Sequence, residues 1–503
     1  MTRSSAPQTA LIVAIASLAS SVAFLDSTVV NVALPAIERE LGGGLATQQW
    51  TVDAYLLTLS SLILLAGSVS DTFGRLLVLR IGLIGFGVAS IAVGLAGDPL
   101  FLIIARAVQG AAGAFLVPSS LALITSLLQG HERSRAIGLW TAFTTGATLV
   151  GPLLGGIFVD LLSWRYAFLI NVIPVAVTLW LVARLPVRDE RRADAGIDVL
   201  GAAMCTAGLG GMVFALIEQP NLGWTSPAIW MPLTAGAALF AAFLLRQRTA
   251  RHPILPLDLF RARNYWTGNL STLFVYAALS LNGFVVGVYL QEGAGLSATL
   301  AGLASLPTTV LLIALSPWAG SLAERLGGRL FMTVGPLVMA GGALMLLLVG
   351  EDFDYWWQVL PGLLVFGLGL AATVSPLTAT ILGAIDADRS GIASAVNNAV
   401  ARVAGLVVIA FLAPIVGGSL DLAGFHRAAI VTAALMALGG LIAFAGIRRP
   451  PRARIGALTR PCSRRPPGTA ARVNPDGAPR RAGPAPPASA ASRRRGCRAA
   501  GSG

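Results

Sequence analysis

The sequence predicts an all-α integral membrane protein with fourteen transmembrane helices, and three observations lead there. Of its 503 residues, 55% are hydrophobic and only 12% are charged, with a mean hydropathy of +0.76; no soluble domain of this size buries that much apolar surface. Apolar windows of about twenty residues, the length that crosses a hydrocarbon core of about 30 Å, recur between short polar joints. The arginines then fall on alternate joints. With the N-terminus in the cytoplasm, seventeen lie inside and only Arg39, Arg165 and Arg427 outside, a strong positive-inside bias. An even number of spans returns the C-terminus to the cytoplasm.

The first window, residues 11–34, runs uncharged for fifteen residues before Asp26 interrupts it. Windows at 49–69, 76–96, 100–128, 136–159 and 166–185 follow, with Trp50 and Trp164 marking outer boundaries. Those at 197–217 and 228–245 come next, and 265–290, 296–322, 330–350, 356–380, 391–416 and 426–447 complete the fourteen. An internal repeat divides the series. Gly67, Asp71, Gly74 and Arg75 follow the second window, and Gly320, Glu324, Gly327 and Arg329 follow the tenth. Matching positions in two halves imply related six-helix bundles at 10–185 and 264–447, with a two-helix insert at 186–263.

Residues 448–503 hold fourteen arginines and one acid, Asp476, so they carry the whole net charge of +13. This arginine- and proline-rich segment is expected to be a disordered cytoplasmic tail, either dispensable or resting on anionic headgroups. The rest of the chain is neutral, which argues against a nucleic-acid partner. There is no lysine, hence no P-loop, and no GxSxG, HExxH or CxxC pattern. No catalytic constellation, metal site or cofactor is expected.

Asp26 lies roughly 22 Å from Leu11 along a helix, past the middle of the hydrocarbon core. A carboxylate there costs roughly 3 kcal/mol on insertion scales, and such groups face a cavity or partner and handle a proton or ion; quiet pairing inside the bundle is the alternative. Arg106, Gln109, Gly110 and Gly113 share one helix face at spacings of 0, 3, 4 and 7. Gly151 and Gly155 form a small-xxx-small groove, and Pro152 between them removes a backbone bond. Gly391, Ser394, Asn398, Arg402 and Gly405 make a polar stripe that either lines a cavity or forms a packing seam. Asp53 sits near the outer end of the second window, where an acid needs no special reason. After residue 264 every acid is placed in a joint, among them Glu292 and Glu324.

Over residues of about 10–447 the chain resembles the major facilitator superfamily, and within it the fourteen-helix drug:proton antiporters. Gly67–Arg75 is similar to the signature loop after helix two, with Val69, Thr72 and Leu76 departing from it. Leu25–Pro35 is similar to the branch's first-helix motif, Gly146 with Gly151-Pro152 and Gly155-Gly156 to its antiporter motif, and Trp164–Pro174 to the start of helix six. The resemblance implies alternating access between two bundles. It implies proton coupling through Asp26 and Arg106, with Asp53 a further candidate, and a gate built from Gly67, Asp71, Gly74 and Arg75. It also implies a cavity to which Asn31, Gln109, Asn398 and Arg402 contribute. The expected activity is proton-coupled efflux of lipophilic, neutral or monocationic small molecules across the cytoplasmic (inner) membrane. The expected partners are such a substrate, protons and the bilayer. A dedicated exporter of one self-made natural product or lipid, an uptake symporter and a membrane-embedded enzyme are the alternatives.

Overall fold

The structure is a computed structural model in which residues 6–186, 196–386 and 389–448 are described. Fourteen helices among them are long and apolar enough to cross a membrane, as the apolar windows require. They are α1 Gln8–Leu41, α2 Gly44–Phe73, α3 Arg75–Gly94, α4 Pro99–Leu127, α5 Gly130–Leu161, α6 Trp164–Ala183, α7 Val199–Leu222 and α8 Pro227–Thr249. They continue with α9 Arg263–Glu292, α10 Ala298–Leu326, α11 Gly328–Leu348, α12 Tyr355–Leu382, α13 Ser390–Ala410 and α14 Leu422–Gly446. The arginine-rich tail expected at 448–503 lies, apart from Arg448, outside the described residues. Two acids placed in joints belong to helices instead: Glu292 ends α9 and Glu324 stands in the last turn of α10. Both remain at helix ends, where a charge reaches the interface.

The first six and the last six helices pack in the same order. Helix α1 runs along α5, α2 along α4, and α3 against α4 and α6; correspondingly α9 runs along α13, α10 along α12, and α11 against α12 and α14. The repeat in sequence is also a repeat in backbone. Gly74, between α2 and α3, has φ 105° and ψ 138°; Gly327, between α10 and α11, has φ 96° and ψ 135°. Positive φ of this kind is a glycine conformation, so the same residue is fixed at the same corner of both halves.

Helices α7 and α8 form a hairpin of their own, held by glycines. A Cβ on Gly236 would lie 2.7 Å from the Gly208 carbonyl oxygen, so no larger residue fits between the two backbones. Asp198 caps α7 by accepting from the Gly201 amide at 2.9 Å, and it also accepts from Arg246 at 2.8 Å and from Gln247 at 3.0 Å on α8. Burial works against its charge, but the bonds from Arg246, Gly201 and Gln247 hold the carboxyl below the usual carboxylate range. The hairpin rests on α2. Trp50 donates from Nε1 to Glu218 at 2.8 Å and meets Phe214 with ring centroids 6.2 Å apart.

The two sets of six meet most closely at the end that carries Leu41, Trp50 and Leu161. There Gln49 donates to the Ile409 carbonyl at 2.6 Å, Gln48 to Glu292 at 2.8 Å and Gln291 to the Val32 carbonyl at 3.1 Å. Asp160, closing α5, accepts from the Ala298 and Thr299 amides at 3.0 and 2.8 Å at the start of α10. Toward the opposite end α5 is exposed at Glu132, Arg135, Leu139 and Phe143. At the middle of α5, Gly146 has no neighbour within 4 Å of where a Cβ would stand.

Candidate proton site and cavity

Asp26 is fully buried and paired. Arg106, on α4, donates from NH1 to Asp26 Oδ2 at 2.7 Å, and both side chains are inaccessible to solvent. The other oxygen, Oδ1, accepts from Gln109 Nε2 at 2.9 Å and from Asn171 Nδ2 at 3.0 Å. Four helices thus converge on one carboxylate: α1 supplies it, α4 the cation and an amide, α6 a second amide, and α3 the Ser90 hydroxyl that accepts from Gln109 at 2.9 Å. Arg106 is in turn held by the Thr51 carbonyl at 2.9 Å, by Gln109 Oε1 at 2.6 Å and by the faces of Tyr55 and Phe168, 4.5 and 5.3 Å from their centroids. The spacing that sets Arg106 and Gln109 on one face of α4 brings both to Asp26. Gln109 therefore sits inside this network, not on a cavity wall.

Two polar atoms in the network are left over. Arg106 NH2 is buried without a hydrogen-bond partner among the described residues, as is Asn171 Oδ1. Donors and acceptors so placed can take a new partner without opening the fold.

Asp53, placed near the outer end of the second window, is no solvent-facing acid. It is fully buried, and neither carboxyl oxygen has a partner among the described residues. At 100° per residue it falls between Gln49 and Leu56, which face α13, and Trp50 and Leu57, which face α7. Burying an unpaired carboxylate costs far more than burying the neutral acid.

A family model described as Major Facilitator Superfamily matches residues 16–409. The chain belongs to the Major Facilitator Superfamily. Among its curated relatives, the methylenomycin A resistance protein of Bacillus subtilis is 34% identical over 78% of this chain and 84% of its own length. The puromycin resistance protein of Streptomyces alboniger is 34% identical over 77% and 78%. The tetracenomycin C resistance and export protein of Streptomyces glaucescens is 33% identical over 77% and 72%. Among solved structures, the fold resembles a D-xylose–proton symporter at TM-score 0.63, with 16% identity over 87% of this chain and 98% of that one. A peptide transporter in complex with sulfate gives TM-score 0.65, with 15% identity over 86% and 94%. The chain is a multi-pass cell-membrane transporter.

The superfamily's signature loop forms a local ion pair here: Arg75 donates to Asp71 at 3.1 Å, both partly exposed and one helical turn apart. Gly67 meets no neighbour within 4 Å. The antiporter-motif glycines divide their work. Gly151 lies against Thr28 and Gly155 against the Val29 backbone, which seats α5 on α1, and Pro152 presents its carbonyl to Gly302 of α10. Gly156 faces the other half. A Cβ there would stand 2.5 Å from the Ala298 oxygen and 2.6 Å from Thr299 Cα, too close to tolerate. Gly156→Val is therefore expected to keep the two halves from meeting at this end. Transport should fall at least tenfold at equal membrane levels, measured as vesicle uptake; parental uptake would remove the contact from the cycle.

In the second half, Arg402 stands about 18 Å into α13, near the middle of the hydrocarbon core. It is half-buried, its guanidinium lies 5.9 Å from the Phe24 ring of α1, and no carboxylate pairs with it among the described residues. Asn398, one turn earlier, is exposed and bonds only its own helix, at Ser394. Its neighbour Asn397, which the sequence reading did not single out, ties α13 to Asn269 and Thr272 of α9 at 3.1 and 3.0 Å. Asn31 lies against Gly283 and Gly287 of α9, where the halves touch.

Proposed function

We propose that this transporter exports lipophilic small molecules of the antibiotic type from the cell in exchange for protons, and that Asp26 carries the proton. The observation that carries this reading is the Asp26–Arg106 pair, buried in the membrane with two amide donors on the remaining carboxylate oxygen. An arginine against a carboxylate favours its charged form and so the release of a proton. Drawing the two apart leaves a group for which the protonated state is the cheaper one to bury. The antibiotic resistance and export proteins among its relatives support the cargo class.

The moving parts are two six-helix bundles, residues 10–185 and 264–447, with residues 186–263 as an insert. The positive-inside bias sets Arg75, Arg325 and the other inner arginines in the cytoplasm. The closed end, at Gln49–Ile409 and Asp160–Ala298, then faces outward, and the arrangement corresponds to an inward-facing state. Asp71 and Arg75, paired with each other here, are the gate that engages when the inner end closes. Asp53 is a second proton-binding candidate at the seam between the bundles.

Uptake of a fluorescent substrate into inverted membrane vesicles tests the function. Accumulation should begin when the vesicle lumen is made acidic and collapse when a protonophore is added. Accumulation that survives the protonophore, or that follows an opposite pH gradient, would contradict antiport.

A further inference from the structure

A neutral or monocationic cargo is the expectation from the sequence. The structure removes both carboxylates from consideration as cargo partners in this state. Asp26 is saturated by Arg106, Gln109 and Asn171, and Asp53 is turned into the joint between α2, α7 and α13. What remains where the two halves face each other is Arg402. It lies mid-membrane with no carboxylate paired to it among the described residues, against Phe24, which stands two residues before Asp26, and with the exposed Asn398 one turn away.

An arginine at this depth is retained for a partner or a pathway. Its fork of donors is matched by a carboxylate, sulfonate or other acidic oxygen group, and a flat apolar body can lie on the neighbouring Phe24 ring.

We propose that Arg402 is the anchor for the acidic group of the cargo, so that the preferred substrates are lipophilic anions and weak acids, with Asn398 and Phe24 beside it in the same site. This rests on the export reading above and adds to it the charge of the preferred cargo.

The assignment has a consequence for energetics. Export of a monoanion against one entering proton moves two positive charges inward per cycle, whereas export of a monocation against one proton moves none. Each charge changes the attainable accumulation about 50-fold per 100 mV. Anion export should therefore respond to the membrane potential as well as to the pH gradient.

The test uses the purified full-length protein in proteoliposomes, with three probes: 8-anilinonaphthalene-1-sulfonate as lipophilic anion, ethidium as monocation and chloramphenicol as neutral molecule. The parent should take up the anion most strongly, and an imposed potassium–valinomycin potential should raise that uptake at constant pH. Arg402→Gln should weaken the half-saturating anion concentration at least tenfold while leaving uptake of the other two within about twofold, and Arg402→Lys should restore part of the anion affinity. Proton-driven uptake of ethidium or chloramphenicol without the anion overturns this inference and leaves export standing. An equal loss of all three probes in Arg402→Gln also overturns it, since it marks a merely structural arginine. Failure of every probe to respond to a pH gradient sinks the export reading with it.

Discussion

Arg106→Ala is expected to abolish transport and to leave the protein markedly less stable. The guanidinium fills a wholly buried site between Tyr55, Phe168, the Thr51 carbonyl and Asp26. Removing it strands the Asp26 charge in a medium that cannot solvate it, and breaking a buried pair from one side typically costs about 3–5 kcal/mol. The partner variant Asp26→Asn should be milder, because an amide can still bond Asn171 and Gln109. The double variant Asp26→Asn with Arg106→Ala should then recover a large part of the stability lost in Arg106→Ala alone. Thermal unfolding in detergent, followed on the four proteins, gives the coupling directly. If the double variant is no more stable than Arg106→Ala, the pair is not what holds this region together.

Asp26 and Arg106 were legible in the sequence because a charge inside a long apolar window has no structural reason to be there. The fourteen helices were legible for the complementary reason, since length and hydropathy alone define a span. Asp53 was misplaced because the sequence shows its distance from the end of its own helix and nothing of what covers it. The α7 hairpin and α13, about 150 and 350 residues later, bury it. The resemblance put Gln109 on a cavity, whereas the helix face it shares with Arg106 leads to Asp26. Asn398 and Asn397 differ by one residue and about 100° of helix rotation; no periodicity of small residues decides which of them reaches α9. Tyr55 and Ser90 complete the network from α2 and α3, and neither falls in a spacing pattern that would have singled it out. The closed contacts of Gly156 against α10 were equally invisible, because glycine reports close approach only once the neighbour is known.

The second large effect is at Asp26 itself. Asp26→Asn preserves the shape of the side chain and can still bond the amides around it, but it cannot gain or lose a proton in the cycle. The account therefore separates two activities that the parent performs together. Exchange of labelled for unlabelled substrate across the membrane requires only that the bundles rock, and it should persist within a few-fold. Net accumulation requires that a proton be carried back, and it should disappear. Asp26→Glu, with the carboxyl displaced by about one methylene, should accumulate substrate at a reduced rate.

The decisive measurement is made on parent and Asp26→Asn proteins in the same proteoliposome preparation, at matched protein content. Exchange is recorded without a pH gradient and accumulation with one. The account predicts that Asp26→Asn exchanges substrate and shows no gradient-driven accumulation above that of empty liposomes. Accumulation equal to the parent's would contradict it and would place proton coupling elsewhere, with Asp53 the first residue to replace.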